Sequence, residues 1–376
     1  PNVSVYYSVQ PSGYVPNNGD LCPGEYGTNQ GCAYDAAVPS DRNYVHAVVY
    51  QRPMDNATEI ISNRDVVESI TYYDGLGRPM QNIAIKGSPG LDDIVTHMGY
   101  DAYGRSDREW LPYVASTGAT GSYRPTAGTD TDAYYVSHYG DELGNEPNPF
   151  SRKELELSPL SRVFKQAAPG EDWQLGSGNE IEFEYRANST NEVSRFLVNF
   201  VSGNTESPEL VKSSNDYFPG ELYKTITRDE NHDGSFSKLH STEEFTDKQG
   251  RVVLKRTYAD LDMDGNGTVE ASHGETEVPH DTYYVYDDFG NLTYVVPPKV
   301  DTSDGVDSTE LGELCYQYVY DHRNRLVEKK LPGKGREYIV YNKLDQPIMT
   351  RDVLLQGQGK WLFTRYDAHG RVAFTG

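Results

Sequence analysis

Alternation of apolar and polar residues with a period of two predicts β-strands along much of the chain. Clear cases are the apolar positions Val45, Ala47 and Val49 and the stretch Ile181-Glu182-Phe183-Glu184-Tyr185. Residues 195–201 form a more continuous apolar run, which predicts a more deeply buried strand. Successive side chains of a strand face opposite sides, so one face can pack while the other meets water. The pattern predicts an all-β protein in which helix is rare.

A short unit, Tyr-Asp-x-x-Gly followed by Arg or Asn, recurs between the predicted strands. Plain copies begin at Tyr73, Tyr100, Tyr286 and Tyr366. Copies that begin at 320 and 341 carry Asn or Asp in the glycine position, and residues 245–252 are interpreted as a copy with one extra residue. The chain therefore contains seven copies of one unit.

The residue types in the unit predict a hairpin turn. Gly, Asn and Asp tolerate positive φ, which a tight connection between antiparallel strands demands. We expect the Asp to accept hydrogen bonds from turn amides, and the Arg stem to lie along a Tyr ring of the neighbouring copy. Five glycines are accordingly predicted to occupy turns between antiparallel strands: Gly75, Gly77, Gly104, Gly290 and Gly370.

The seven copies resemble the Tyr-Asp signature of the bacterial Rhs/YD-repeat proteins. Residues 43–79 and 158–170 are also similar to the region that precedes the main repeats in large surface or secreted members. The resemblance implies an extended antiparallel sheet of YD-repeat hairpins that forms part of a curled shell. In the family such a shell often encloses a toxic C-terminal domain, which a self-cleaving core domain releases. Neither the core domain nor the toxin is visible in this sequence.

The resemblance also implies partners and a location. The expected partners are the remainder of the same polypeptide, with further YD repeats and a cargo domain, and secretion or surface-anchoring proteins. The protein is expected to be secreted or to lie at the cell surface of a bacterium.

Three regions are predicted along the chain. Residues 1–42 form an N-terminal strand and loop, 43–220 an N-terminal region with the first YD hairpins, and 221–376 a YD-repeat sheet truncated at its C-terminal edge. Pro1 is expected to be a processed or cut end, and the next strands of a longer protein are expected after Gly376. Residues 114–150, rich in Gly, Thr, Tyr, Pro and Asp, are predicted to be a long surface excursion. Within it, only residues 132–139 are expected to form a helical turn or short strand.

Composition and charge narrow the possible partners. The chain is 36% hydrophobic and has 30 Tyr against 11 Phe, which favours a thin sheet with half-polar rings over a deep aliphatic core. Its formal net charge of -23 opposes nucleic-acid phosphates and anionic membranes. No run reaches the roughly 20 apolar residues of a membrane helix. A nucleic-acid partner and a membrane span are therefore not expected.

The three cysteines are given structural roles. The exported context implied by the resemblance favours a disulfide between Cys22 and Cys32; the alternative is three free thiols in a reducing compartment. Cys315 lies in a strand-like stretch and is predicted to be buried and inert. No second Cys or His pair has zinc spacing.

Two acidic loops have the alternating oxygen side chains of the first part of an EF-hand-type calcium loop. The predicted ligands of a structural Ca²⁺ ion are Asp262, Asp264, Asn266, Thr268 and Glu270 in one loop and Asp229, Asn231, Asp233 and Ser235 in the other. The twelfth position is His273 or His240 instead of a bidentate Glu, so an ion would need another carboxylate. The alternative is that both loops are solvated hairpin tips, because their flanks look like strands.

No catalytic motif is found, so the chain is predicted to be non-enzymatic. The predicted function is that of a structural segment of an exported Rhs/YD-repeat protein, whose sheet or shell encloses or presents a C-terminal toxin or effector. The alternative is a carbohydrate-binding or adhesion module with glycans as partners. Rows of tyrosine, such as Tyr284 with Tyr286 and Tyr316 with Tyr318, resemble the stacking surfaces that hold sugars. Strand periodicity explains the same rows without a ligand.

Overall fold

The structure is a computed structural model that describes residues 3–8, 36–54, 60, 62–63, 65–143, 147–232, 234, 237–260 and 277–376. The chain divides into two compact units, Pro1–Ile181 and Glu182–Gly376. Antiparallel strands predominate in both units, which confirms the predicted all-β fold. Among the described residues, no helix combines the length and the apolar character needed to cross a membrane.

The first unit contains a six-stranded sheet in the order β1-β2-β3-β4-β5-β7, and three further strands, β6, β8 and β9, that lie at one end of the other large sheet. The β1–β2 pair is parallel and the other pairs are antiparallel. The strands are β1 (Val3–Ser8), β2 (Asn43–Tyr50), β3 (Val66–Tyr73), β4 (Pro79–Ala84), β5 (Asp93–His97), β6 (Arg108–Trp110), β7 (Tyr113–Ala115), β8 (Phe150–Leu155) and β9 (Val163–Ala167).

The core of this unit lies on one face of β3, β4 and β5. Alternate residues of β3 are buried, among them Ile70 and Tyr72, and they pack with Ile83 and Val95. The Tyr72 hydroxyl donates to the carbonyl of Gly121 at 2.7 Å, and accepts from the Ser40 amide at 2.9 Å. A buried tyrosine therefore joins the sheet to two loops.

The prediction of a surface excursion over residues 114–150 is wrong, because α1 (Ala127–Leu143) occupies its centre. Gly, Thr and Asp are poor helix formers, and they dominate the first half of this helix. Tertiary packing overrides that preference: Ala127 and Thr131 are fully buried, and Tyr134 packs on Tyr113 with ring centroids 6.3 Å apart. The helix covers the core of the first unit.

The second unit is an antiparallel meander in chain order, with one hairpin packed on it. Strand β10 pairs with β13, and β13 to β23 follow one another as neighbours. The strands are β10 (Ile181–Ala187), β11 (Phe196–Phe200), β12 (Pro208–Lys212), β13 (Tyr223–Arg228), β14 (Ser241–Thr246), β15 (Val252–Asp260), β16 (Glu277–Tyr286), β17 (Leu292–Val296), β18 (Tyr316–Tyr320), β19 (Leu326–Lys330), β20 (Glu337–Tyr341), β21 (Pro347–Arg351), β22 (Leu362–Tyr366) and β23 (Val372–Thr375). Two short helices, α2 (Ser308–Glu313) and α3 (Val353–Gly357), lie between strands.

The β11–β12 hairpin covers the buried face of the meander. Phe196 packs edge-on against Tyr283 with ring centroids 5.0 Å apart, beside the buried side chains of Phe245 and Leu254. Cys315 is also buried there, and burial raises the pKa of its thiol to about 11, as expected of an inert cysteine. Cys22 and Cys32 lie outside the described residues.

Candidate functional site

The repeated turn is the feature from which the site is built. In the first copy, the Asp74 amide donates to the Arg78 carbonyl at 2.9 Å, and the Gly77 amide donates back to the Asp74 carbonyl at 3.1 Å. The same pair of bonds closes the other copies, and the glycine slot has positive φ in each. The values are +79° at Gly77, Gly104 and Gly250, +85° at Gly290, +78° at Gly370, +57° at Asn324 and +61° at Asp345. The predicted restriction of this slot is confirmed.

The carboxylate of the repeat Asp organises the turn. In Asp74, Oδ1 accepts from the Leu76 and Arg78 amides, both at 2.9 Å, while Oδ2 accepts from the Arg78 Nε at 2.8 Å. The Arg78 amide, with smaller contributions from the Arg78 side chain and the Leu76 amide, lowers the pKa of Asp74 despite its partial desolvation. The same set of contacts recurs at Asp101, Asp247, Asp321 and Asp367.

The arginine of one copy reaches the tyrosine of the next. The Arg78 guanidinium lies 4.3 Å from the centre of the Tyr100 ring. Arg251 lies 4.8 Å from the Tyr286 ring, and Arg325 lies 4.9 Å from the Tyr341 ring. The expected stacking of Arg on a neighbouring Tyr is therefore confirmed.

The tyrosine hydroxyl makes a second link, which the sequence reasoning missed. It donates to the backbone carbonyl of the first residue after the preceding copy. The bonds run from Tyr100 to Pro79 at 2.8 Å, Tyr320 to Leu292 at 3.0 Å, Tyr341 to Leu326 at 3.0 Å and Tyr366 to Pro347 at 2.9 Å. The signal was present, because phenylalanine could stack on arginine but could not donate this bond, and Tyr greatly outnumbers Phe in the chain. We call the two links together the Tyr–Arg clamp.

The glycine slot also meets the preceding copy. A Cβ at Gly104 would lie 2.7 Å from Nη1 of Arg78, so glycine leaves room for that guanidinium. Where the slot holds a polar residue, its side chain accepts a hydrogen bond from the preceding copy. Asn291 donates to Asn324 Oδ1 at 3.2 Å, and Arg325 donates to Asp345 Oδ1 at 2.7 Å. The slot residue therefore has two roles: it adopts positive φ, and it makes room for or binds a side chain of the preceding copy. The sequence indicated only the first role.

The copy at 245–252 has no extra residue, contrary to the sequence interpretation. Thr246 occupies the tyrosine position, and Asp247, Gly250 and Arg251 keep the usual spacing and bonds. The strand register shifts just before Thr246, as it does just before Tyr286. The aromatic Phe245, which suggested the insertion, is a buried core residue.

A further turn of this kind, between β8 and β9, carries Ser where the repeat has Asp and Gly. Ser161 has φ +50° and its amide donates to the Ser158 carbonyl at 3.1 Å. Arg162 pairs with Glu156 at 2.8 Å, and these hydrogen bonds lower the pKa of Glu156 to about 2. The signal that could have revealed it is the spacing Ser-x-x-Ser-Arg.

The copy at Tyr100 departs from the prediction that the flanks of each turn pair with one another. Its flanking strands are β5, which pairs with β4 and β7, and β6, which pairs with β8. Nη1 of Arg105 donates to the Glu156 carbonyl at 2.7 Å and to the Ser161 hydroxyl at 3.3 Å. This arginine therefore fixes the outgoing chain to the β8–β9 turn and not to β5.

The predicted calcium ligands lie only partly within the described residues. Residues 261–276, with Asp262, Asp264, Asn266, Thr268 and Glu270, lie outside them, as do Asp233 and Ser235. Asp229 follows the last residue of β13. Its Oδ1 accepts from the Asn231 amide at 2.9 Å, and its Oδ2 lies 3.4 Å from Nδ1 of His240. Within the described part of the chain, no group of three or more His, Cys, Asp or Glu side chains could hold a metal ion.

The tyrosine rows occupy one face of the second unit's sheet. Tyr284 and Tyr286 are half-buried, whereas their neighbours Tyr283 and Val285 are buried on the other face. In β18, Tyr316 is exposed, and Tyr318 and Tyr320 are half-buried on one face. The alternation predicted for these rows is therefore confirmed.

A cluster of buried and half-buried charged side chains extends across β13 to β16 in the second unit's sheet. Lys224 lies 2.7 Å from Glu192 and 2.9 Å from Glu243, and Arg256 lies 2.6 Å from Asp281. Glu243 is buried and its neighbour Glu244 is not, because consecutive strand residues face opposite sides of the sheet. Each cation is matched by a carboxylate, which suits stabilisation of the sheet more than proton transfer.

Residues 46–187 match the family described as a domain of unknown function (DUF6443). No curated protein matches the chain. Similar solved structures include the crystal structure of TcdB2-TccC3, with 14% identity and a TM-score of 0.49. The same complex without the hypervariable C-terminal region has 15% identity and a TM-score of 0.47. A mutant Tc holotoxin pore from Photorhabdus luminescens has 14% identity and a TM-score of 0.48.

In each case the alignment covers 82% of this chain and 12% of the other chain. The chain thus spans a small part of the length of those proteins. Residues 46–187 thus resemble the DUF6443 family, and the seven turns share one geometry, which supports the resemblance of the repeat to that of the bacterial Rhs/YD-repeat proteins.

Proposed function

We propose that the chain is a non-enzymatic architectural segment of an exported Rhs/YD-repeat protein. It contributes part of a curled sheet or shell, which encloses or presents a C-terminal toxin or effector. The observation that carries the proposal is the set of links between consecutive turns: both links of the Tyr–Arg clamp at Tyr100 and Tyr341, and one of the two at Tyr286, Tyr320 and Tyr366.

The clamp suits a wall that is built from repeated hairpins. A cation–π contact contributes about 0.5–1 kcal/mol at exposed sites, and a hydrogen bond about 0.5–1.5 kcal/mol. In repeat proteins, such nearest-neighbour terms add along the array. Many small links of one kind therefore stabilise a long sheet without requiring a thick core.

A repeated irregularity supports curling of the sheet. In five hairpins of the second unit's meander the register shifts at the same place, immediately before the residue in the tyrosine position. The β3–β4 hairpin of the first unit has the same shift. A β-bulge bends its strand and increases the local twist. Bulges that recur on one edge of a meander bend successive hairpins in the same sense, as a curved wall requires.

The test uses a longer polypeptide that carries this chain with its neighbouring repeats and its C-terminal segment. We expect the C-terminal segment to resist protease in the intact protein. The double variant Arg325→Ala/Tyr341→Phe should expose it, whereas Lys343→Ala, in an exposed turn position outside the clamp, should not. Equal cleavage of the segment in the intact protein and as a free polypeptide would refute enclosure.

Sugar binding by the tyrosine rows is the second candidate function. It is favoured by the accessible face that carries Tyr284, Tyr316 and Tyr318, since aromatic rings stack on sugars. A glycan array separates the two functions. A scaffold retains no glycan, whereas a sugar module shows a preference that Tyr284→Ala abolishes.

We also propose a secreted or cell-surface location, with Cys22 and Cys32 joined by a disulfide. The resemblance to exported proteins supports both. Mass spectrometry of unreduced peptides tests the pairing. Free thiols on both cysteines after purification without reductant would count against it and against export.

A structural calcium ion in the Asp262 loop is a further proposal, supported by the spacing of its oxygen side chains. Without a cation these carboxylates would repel one another. Isothermal titration with calcium should show binding that Asp264→Ala removes. No heat in the unmodified protein, or equal heat in both, would return the loop to the status of a polar hairpin tip.

A further inference from the structure

A groove of about 1050 Å³ lies in the first unit, beside β7. Residues 113–118 form one side, and Asp130, Tyr134 and His138 of α1 contribute to another. Neither the repeated turns nor the Tyr–Arg clamps use this groove. Its lining combines backbone, carboxylate and aromatic groups.

The groove gives access to the edge of a strand. Among the described strands, β7 pairs only with β5, so its second edge is unpartnered. Consecutive strand residues point to opposite faces, yet all of residues 113–118 line the groove. The groove therefore approaches β7 from its edge, where backbone N–H and C=O groups can accept a further strand.

The charge of the lining is negative. Asp92 and Asp130 line the groove, and within the described part of the chain neither carboxylate has a salt-bridge partner. Asp130 Oδ2 accepts hydrogen bonds from the Thr126 hydroxyl at 2.9 Å and from Tyr113 at 3.3 Å, both neutral donors. The lining contains one cation, Arg124, which is paired with Asp93 at 3.2 Å. A cationic ligand group complements this surface, and an anionic one does not.

An aromatic wall stands beside Asp130. Tyr134 lies one helical turn after it and stacks on His138 with ring centroids 4.2 Å apart. An aromatic ring next to a carboxylate suits a lysine or arginine side chain, whose stem lies on the ring while its head reaches the oxygen.

We propose that this groove binds an extended polypeptide segment, which adds as a strand to the free edge of β7 and directs a lysine or arginine side chain to Asp130. The backbone supplies the general affinity and the cation supplies selectivity, as in other cases of strand addition. The ligand is proposed to be extended because the edge of β7 is unpartnered. It is proposed to be cationic because the carboxylates of the lining have no salt-bridge partner.

The first test uses the full chain and an array of nine-residue peptides of alternating Thr and Val with one variable central residue. We expect peptides with central Lys or Arg to bind at least about tenfold more tightly than those with norleucine or Glu. Peptides N-methylated at alternate residues should not bind, because they cannot complete the ladder. No binding by any peptide, or equal binding by the Lys and norleucine peptides, would overturn the proposal.

The second test locates the site and uses matched variants. Asp130→Asn should weaken binding of the Lys peptide about tenfold, whereas Asp132→Asn, two residues further along the same helix and outside the groove lining, should not. Saturation with the peptide should slow amide exchange in residues 113–118. Unchanged exchange there, or binding of neutral oligosaccharides in place of peptides, would count against strand addition.

Discussion

The turns at Asp101 and Asp321 have the same internal hydrogen bonds but connect strands in different ways. Each aspartate accepts from the backbone amides two and four residues on, and from the Nε of the arginine four residues on. The flanks of the Asp321 turn pair with one another as β18 and β19. The flanks of the Asp101 turn, β5 and β6, belong to different sheets. The repeat therefore specifies a corner and leaves the pairing of its flanks to other contacts.

The contacts that decide the pairing of the flanks are made by the arginine that ends each turn. In the second unit, Nη1 of Arg325 donates to the carbonyl of Asn342 and to Asp345 in the next copy, which continues the meander. In the first unit, Nη1 of Arg105 donates to the β8–β9 turn. The clamp itself is retained in both units, since Tyr100 and Tyr341 each donate to the copy before them. The clamp thus survives where the hairpin does not.

The largest expected effect comes from two core residues, one in each unit, that lie just before the tyrosine position of a turn. Tyr72 and Phe245 occupy this place and are fully buried. Tyr72→Ala and Phe245→Ala should each lower the free energy of unfolding by about 3–5 kcal/mol, from lost burial and the cavity left behind. Urea denaturation, with hydrogen exchange to assign the unit that opens, measures both. Leu76→Ala at an exposed turn tip serves as the control, and a loss below about 1 kcal/mol in both core variants would contradict the shared role.

Removal of the arginine that ends a turn should have a smaller effect that differs between the units. Arg325→Ala should lower the free energy of unfolding, because its hydrogen bonds join charged groups. Tyr341→Phe should cost about 0.5–1.5 kcal/mol, and the double variant should lose less than the sum because the two side chains touch. Arg105→Ala should instead speed amide exchange in residues 156–162. Strict additivity of Arg325→Ala and Tyr341→Phe would show that the clamp is not one unit.

The turns could be predicted from sequence because their causes are local. Positive φ at the slot, and an aspartate that accepts nearby amides, depend on residues four apart at most. The helix α1 could not be predicted, because buried Ala127 and Thr131 stabilise it through contacts that its polar sequence does not reveal. The separation of β5 from β6 was equally hidden, since it depends on Arg105 meeting Glu156, 51 residues further along the chain.

The residue in the glycine slot differs between the two turns: it is Gly104 in the first unit and Asn324 in the second. Gly104→Ala in the first unit should cost about 1–2 kcal/mol from positive φ alone, with a further loss because the new Cβ meets Arg78. Adding Arg78→Ala should remove the second part only. Asn324→Gly in the second unit should cost less, because glycine keeps the turn and loses only the bond from Asn291. Thermal unfolding ranks the variants, and an equal cost for Gly104→Ala with and without Arg78 would refute the steric role.

Acid should loosen the turns that carry aspartate and spare the copy that carries Asn342. Hydrogen bonds from the Arg371 backbone amide and side chain lower the pKa of Asp367 from its usual 3.8, so the folded turn favours the ionised form. A lowered carboxylate pKa contributes stability that is fully present above the unfolded value of about 4 and is lost as the pH falls towards the folded value.

In the copy at Asn342, neutral amides make the same contacts: Oδ1 accepts from the Leu344 and Gln346 amides, and Nδ2 donates to Gln346. That turn has no carboxylate to protonate at the repeat position. Amide exchange should therefore quicken at Gly370 as the pH falls below the unfolded value of about 4, relative to the intrinsic rate, and change less at Asp345. The variant Asp367→Asn should remove the acid response at Gly370. If the two turns lost protection together, the titrating group would lie elsewhere and the aspartate would be no more than a hydrogen-bond acceptor.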